Sequence, residues 1–289
     1  MDHRVNQRIF DLFDEFTQGE LSRRDFLGRL AQLVGGSSAT IALLPFLQND
    51  YTRRSVAQDD DRLSISHAEW YADGTRVTGY LARLKDGEKR PGVIVIHENR
   101  GLNPHIKDVT RRMALEGFLA LGPDLLSPLG GTPADESEAR EMLRGLDPEE
   151  TLVRLAAAVP FLAGHPESTG KVGAVGFCWG GGYANQLAAA GTSLAASVPY
   201  YGRQLPAEEV PKITAPLLLH YAGLDERINA GIADYEAALK ANNKTYEIYM
   251  YEGANHAFNN DTNAARYNKE AADLAWGRTI AFLKTHLAP

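Results

Sequence analysis

The side chain with the clearest chemistry in this sequence is that of Cys178, the only cysteine. It stands in Gly176-Phe177-Cys178-Trp179-Gly180, directly after the apolar, β-branched stretch that starts at Lys171-Val172. A thiol between glycines, where a strand ends and a glycine-rich helix begins, has the pattern of a nucleophile elbow with cysteine in place of serine. The chain must turn sharply there, and side chains at the flanking positions would collide. The helix N-terminus that follows favours a thiolate and negative charge generally. A lone cysteine is otherwise a small buried hydrophobe, so the surrounding pattern carries the argument. Two more residues follow strand-like runs: Asp225 in Ala222-Gly223-Leu224-Asp225, and His256 in Gly253-Ala254-Asn255-His256-Ala257-Phe258. Alone, the first has a plainer reading as a turn former and the second as a surface loop residue. Together they give the chain order nucleophile, acid, base. That set suits acyl transfer: sulfur attacks, imidazole carries the proton, and carboxylate holds the imidazole tautomer. His220 lies inside a strand pattern, His286 sits near the C-terminus, and Asp124 precedes the nucleophile, so none fits that order.

These residues need elements that bring them to one edge. From Leu63 onward the sequence alternates strand and helix patterns. Ser64–Ala72 and Arg76–Leu84 read as paired strands turning at Asp73-Gly74. Gly92-Val93-Ile94-Val95-Ile96 is a continuous apolar run suited to a strand buried on both faces. Helices are expected over Pro104–Glu116, Pro133–Leu146, Pro148–Ala163, Gly180–Ala190, Gly231–Ala241 and Ala271–His286. Further strands are expected over Phe118–Leu121, Lys171–Phe177, Leu194–Tyr200, Pro216–Tyr221 and Tyr246–Tyr251. This alternation predicts an α/β class domain over residues 61–289, with a mostly parallel central sheet and helices on both faces. Active sites in such sheets lie at the carboxyl ends of the strands, where Cys178, Asp225 and His256 all stand. With its elbow and its order of residues, this is the α/β-hydrolase fold.

Residues 1–60 read as a separate helical arm or signal segment with a linker. Val5, Ile9, Leu12, Phe13 and Phe16 fall at helical spacing. Ser22-Arg23-Arg24-Asp25-Phe26-Leu27 resembles a twin-arginine export motif, followed by an apolar run from Leu30 to Leu47 and a small-residue stretch Ser55-Val56-Ala57. Read so, the protein is periplasmic. Retained instead, the segment is an arm packed on the main domain or on a second subunit, as in a homodimer, and the cytoplasm is equally compatible. Gly35-Gly36 makes the run a poor stable membrane span. Asp59-Asp60-Asp61 reads as a solvated linker. The net charge of −7 argues against nucleic acid as a general partner. One cysteine excludes an intramolecular disulfide, and no zinc-ligand spacing or phosphate-binding loop is present.

The chain from about Ser64 to Leu287 resembles the dienelactone hydrolase family (the carboxymethylenebutenolidase type). The resemblance rests on Val93-Ile94-Val95-Ile96-His97-Glu98, the Cys178 elbow, Tyr200-Tyr201-Gly202, Gly223-Leu224-Asp225 and His256-Ala257-Phe258. Within the family it is most similar to a subgroup with an N-terminal arm and the run His97-Glu98-Asn99-Arg100-Gly101-Leu102. It implies a hydrolase for a lactone or small ester, working through a thioester intermediate without a metal or organic cofactor. It also implies that Glu98 contacts the resting thiol and moves when substrate enters. The implied oxyanion hole is made of the backbone N–H groups of Asn99 and Trp179. One of the two carboxylate-binding arginines of the family's type members would fall at Asn260 here, so substrate recognition departs. Arg100 and Arg203 are alternative anion clamps, Tyr201 is a pocket-lining residue, and Arg140 and Arg144 lie in the region of the second arginine. A general carboxylesterase with the same triad is the near alternative. A non-catalytic binding protein on this scaffold would have no need of all three triad residues, and a redox enzyme would want a second cysteine.

Overall fold

A computed structural model describes residues 3–19 and 21–288. Three helices come first: α1 (His3–Gln18), α2 (Arg23–Val34) and α3 (Ser37–Leu47). Then follow β1 (Leu63–Ala72), β2 (Thr75–Leu84), β3 (Arg90–Ile96), α4 (Pro104–Leu115), β4 (Leu119–Asp124), α5 (Glu136–Arg144), α6 (Pro148–Ala163) and β5 (Ser168–Phe177). The chain closes with α7 (Trp179–Ala188), β6 (Leu194–Tyr200), β7 (Leu217–Ala222), α8 (Glu226–Asn229), α9 (Ile232–Ala241), β8 (Tyr246–Tyr251) and α10 (Lys269–His286).

The eight strands form one sheet in the order β1-β2-β4-β3-β5-β6-β7-β8. β1 and β2 are an antiparallel hairpin, β2 meets β4 antiparallel, and every pair from β4 to β8 is parallel. The chain leaves β3 towards β4 and returns to β5 on its other side, so the direction of winding reverses between β3 and β5. Val93, Ile94, Val95 and Ile96 of β3 are wholly buried, as their uninterrupted apolar run predicts. One face of the sheet packs on α4 and α10 through Ile106, Val109, Met113, Ala275 and Leu283. The other packs on α6, α7 and α9 through Leu155, Val159, Leu187 and Leu239. Each of these side chains but Ala275 contributes roughly 1.5–3 kcal/mol on burial. The expected mostly parallel sheet with helices on both faces is present.

The α5 stretch starts later than Pro133 because the Asp135 carboxylate accepts the Ser137 and Glu138 amides and caps the helix there. α8 was not visible in the sequence, since four residues show no helical period; Asp225 caps it by accepting the Ile228 amide.

The arm has a small core of its own. Ile9, Leu12 and Phe13 of α1 pack with Phe26 and Leu30 of α2 and Leu47 of α3, and the Phe16 and Phe26 rings stack at 4.6 Å. The side chain of Val5 lies outside the described residues. Ser22 caps α2 by accepting the Asp25 amide, which puts Arg23 and Arg24 in its exposed first turn. Gly35, at φ 85°, ends α2 in the left-handed conformation that glycine adopts without strain. α3 then leaves at 110° to α2, which breaks the apolar run in two. Among the described residues no single helix is long and apolar enough to cross a membrane. The Ser55 and Val56 amides both donate to the Asp108 carboxylate on α4, so this small-residue stretch is tied to the body.

Candidate active site

The elbow is built by backbone crowding. Cys178 sits between β5 and α7 at φ 54°, ψ −114°, in positive-φ space that residues with side chains seldom occupy. Its amide donates to the Tyr200 carbonyl at 3.0 Å, and its carbonyl accepts from Gly182 at 3.2 Å. A Cβ on Gly176 would come within 2.0 Å of the Gly180 carbonyl oxygen, and one on Gly180 within 2.4 Å of the His97 carbonyl oxygen. Only glycine fits at either position. Such strain costs on the order of 1–3 kcal/mol and is held by the surrounding sheet. Behind the elbow the His97 ring stacks on Trp179 with planes 2° apart. Burial lowers the His97 pKa, and its Nδ1–H donates to the Glu98 carbonyl at 2.7 Å.

The turns after β7 and β8 bring Asp225 and His256 together, 31 residues apart in the chain. Nδ1 of His256 lies 2.5 Å from Oδ2 of Asp225, and both side chains are buried. Burial alone would drive the imidazole pKa down. The Asp225 charge, then Cys178, overcome this and hold it well above the ordinary histidine range. Burial likewise works to raise the Asp225 pKa, but the His256 charge and hydrogen bond bring it below the usual carboxylate value. The adjoining Ala257 has a φ of 65° and Tyr201 one of 38°, two more non-glycine strain points at this edge.

Cys178 and His256 line one chamber of about 20 Å³, room for about one water. Glu98, Asn99 and Arg100 line it from the end of β3. Glu98 is almost fully buried; its Oε2 accepts from Asn260 Nδ2 at 2.9 Å and lies 3.9 Å from Arg100. Arg100 is committed to Glu136 at 2.9 Å. As the first residue of α7, Trp179 has a backbone N–H with no acceptor within its helix. Tyr201 is buried beside the chamber, its ring 5.0 Å from that of His256 and edge-on to Phe258. Arg203 is exposed and is not among the chamber's lining residues. Arg140 and Arg144 lie on α5 outside it, with Arg140 paired to Glu136 at 3.6 Å. Among the described residues no cluster of His, Cys, Asp and Glu suits a metal ion.

Several lining residues carried no signal in the sequence, and Asn260 stood out only as the place of a family arginine. Asp14, Thr17 and Asn49 come from the arm, and Asn260, Asn263 and Arg266 from the loop after His256. Arg266 pairs with Asp14 at 2.7 Å and also reaches the His256 carbonyl at 3.4 Å. Asn99 Nδ2 donates to the Thr17 carbonyl, and Asn263 Nδ2 to the Leu47 carbonyl. The one available hint was Asn259-Asn260-Asp261-Thr262-Asn263, a polar run in which all but Asp261 are buried.

The family model of the dienelactone hydrolase family matches residues 77–287. A protein of Saccharolobus solfataricus named as a carboxymethylenebutenolidase is 34% identical over 74% of this chain and 95% of its own. One from Bradyrhizobium sp, named for 2-oxo-3-(5-oxofuran-2-ylidene)propanoate lactonase, is 33% identical over 74% of this chain and 92% of its own. The crystal structure of a protein from Klebsiella pneumoniae subsp. pneumoniae, named as a dienelactone hydrolase, superposes with a TM-score of 0.67 at 30% identity. It covers 75% of this chain and 98% of that one.

Proposed function

Since this chain belongs to the dienelactone hydrolase family and is a hydrolase, we propose that it opens a lactone or small carboxylic ester through Cys178, with a thioester intermediate. The observation that carries this reading is Cys178 and His256 facing one chamber, with Asp225 bound to the far side of the imidazole. The Cys178 sulfur attacks the carbonyl carbon while His256 holds the proton. The Asp225 carboxylate offsets the imidazolium charge and fixes Nδ1 as the donor. Collapse of the tetrahedral intermediate expels the alkoxide or enolate, which takes the proton from His256. Water, deprotonated by the same imidazole, then attacks the thioester and releases the carboxylic acid and the thiol.

The Trp179 and Asn99 amides are the donors in this reading for the oxyanion; losing one such donor costs on the order of 100-fold or more in rate. Glu98 has the role of a gate. It rests against Asn260 and Arg100 beside the thiol, and shifts when the carbonyl group takes its place. Replacing Cys178 by alanine in the full chain tests the core of the proposal. Hydrolysis of p-nitrophenyl acetate is expected to fall by a factor on the order of 10⁴ or more, with the thermal midpoint moved by no more than a few degrees. Turnover that survives in Cys178→Ala would refute the assignment.

A further inference from the structure

A chamber of about 20 Å³ cannot hold an ester, so part of its wall must move. The wall that belongs to a separate unit is the arm, through Asp14, Thr17 and Asn49. On the side of α1 lies a hollow of about 500 Å³, between α1 and the turns after β7 and β8. His256 and Asp14 line both the hollow and the chamber, so Asp14 stands between the open space and the thiol. His256 is buried, with Nδ1 on Asp225 and its ring also interacting with Cys178. The other charged groups on the hollow are Asp11 and Glu15 of α1, with Asp225, Glu226 and Arg227 below.

The charges do not cancel. Asp14 is matched by Arg266, and Asp225 by His256. Glu15 shares its charge with exposed Arg29 at 3.6 Å. Of the hollow's remaining charges, Asp11 and Glu226 outnumber Arg227, and Arg266 also acts on Asp11. The Asp11 pKa is raised, first by burial and further by the charges of Asp14 and Glu226. Inside the chamber both arginines are already taken: Arg266 by Asp14, and Arg100 by Glu136 and Glu98. An incoming carboxylate would cross an acidic entrance and find each cation of the chamber bound to a carboxylate of the chain.

We propose that the N-terminal arm is a working part of the substrate site, with Asp14 as its gate, and that it selects uncharged esters or lactones over carboxylate-bearing ones. This rests on the reading of Cys178 and His256 as nucleophile and base. An uncharged substrate reaches the thiol when α1 swings far enough for Asp14 to leave the space beside His256. Pulling half-buried Asp14 away leaves the buried Arg266 cation without its partner, which is costly, so the arm is held shut at rest and opens briefly.

The single cysteine makes a direct test available that does not require turnover. The full-length chain is treated with iodoacetamide or with iodoacetate, and alkylation of Cys178 is followed by intact mass. The two reagents are alike in size and differ in charge. The ratio of their rates is divided by the same ratio for a free thiol such as glutathione. A normalised preference for the uncharged reagent of about tenfold is expected at low salt, narrowing in 0.5 M salt as screening shortens the reach of the charges. Asp14→Asn should speed both reactions and bring the ratio to about that of the free thiol, because the gate opens and Arg266 loses its anion. If that variant does not fold, Asp11→Asn combined with Glu226→Gln should narrow the ratio without Asp14 being touched. A wild-type ratio at or below that of the free thiol would overturn the proposal, as would a ratio unmoved in the variants. Alkylation reports access and charge whether or not Cys178 is the nucleophile, so this failure is distinct from activity surviving in Cys178→Ala.

Discussion

Two residues, Asp225 and His256, set the pH behaviour of the site. Each holds the other's charged form, with the histidine pKa raised and the aspartate pKa lowered. The signs give a window. The aspartate's contribution to stability is present above its unfolded pKa of about 4 and is lost as pH falls through the lower folded value. The histidine's is present in full below its unfolded pKa of about 6.5 and is lost as pH rises through the higher folded value. The difference in thermal midpoint between wild type and Asp225→Asn should therefore be largest between about pH 4 and 6.5 and shrink on either side. Scanning calorimetry across pH 3 to 10 measures it, and a difference that is flat with pH would contradict the pairing. That Cys178, Asp225 and His256 share one edge of the sheet was legible in the sequence because each follows a strand. The detail that Glu98 is held by Asn260 was not, since those residues are distant in the chain.

At the scale of the element, the elbow is where strand, turn and helix constrain one another. Gly180 lies under the His97 carbonyl at the end of β3, and Gly176 under the first turn of α7. Adding one methyl group at Gly180 must push β3 and α7 apart. Gly180→Ala is expected to lose on the order of 1–3 kcal/mol in a urea titration, as overpacked sites do, and to lose most of its hydrolase rate because Glu98, Asn99 and Cys178 separate. A variant with native stability and rate would show that the contact relaxes at no cost. The elements themselves were mostly legible, since their periods of 2 and 3.6 are local properties. Their ends were less so. α5 begins where Asp135 can cap it, and α8 is a single turn fixed by the Asp225 carboxylate.

At the scale of the whole molecule, the arm and the hydrolase body have separate apolar clusters joined by polar contacts at the site. Two units joined in this way should open separately. Phe26 is the buried centre of the arm's cluster. Phe26→Ala should cost about 3–5 kcal/mol within the arm. In native-state hydrogen exchange the amides of α1 and α2 should then lose protection, while β5, β6 and β7 keep theirs. Equal acceleration throughout would mean that arm and body open as one cooperative unit.

By itself the sequence determined the sheet, the strained turn at Cys178 and the strand ends that carry Cys178, Asp225 and His256, because strand alternation, turn glycines and helix starts are written in neighbouring residues. Only the tertiary structure decided that Arg23 and Arg24 open a helix packed on α1 and α3, and that Asp14, Thr17 and Asn49 close the chamber at Cys178. It alone matched Arg266 to Asp14, and left Arg203 facing solvent. Those outcomes depend on contacts between segments far apart in the chain, whose partners no local pattern specifies.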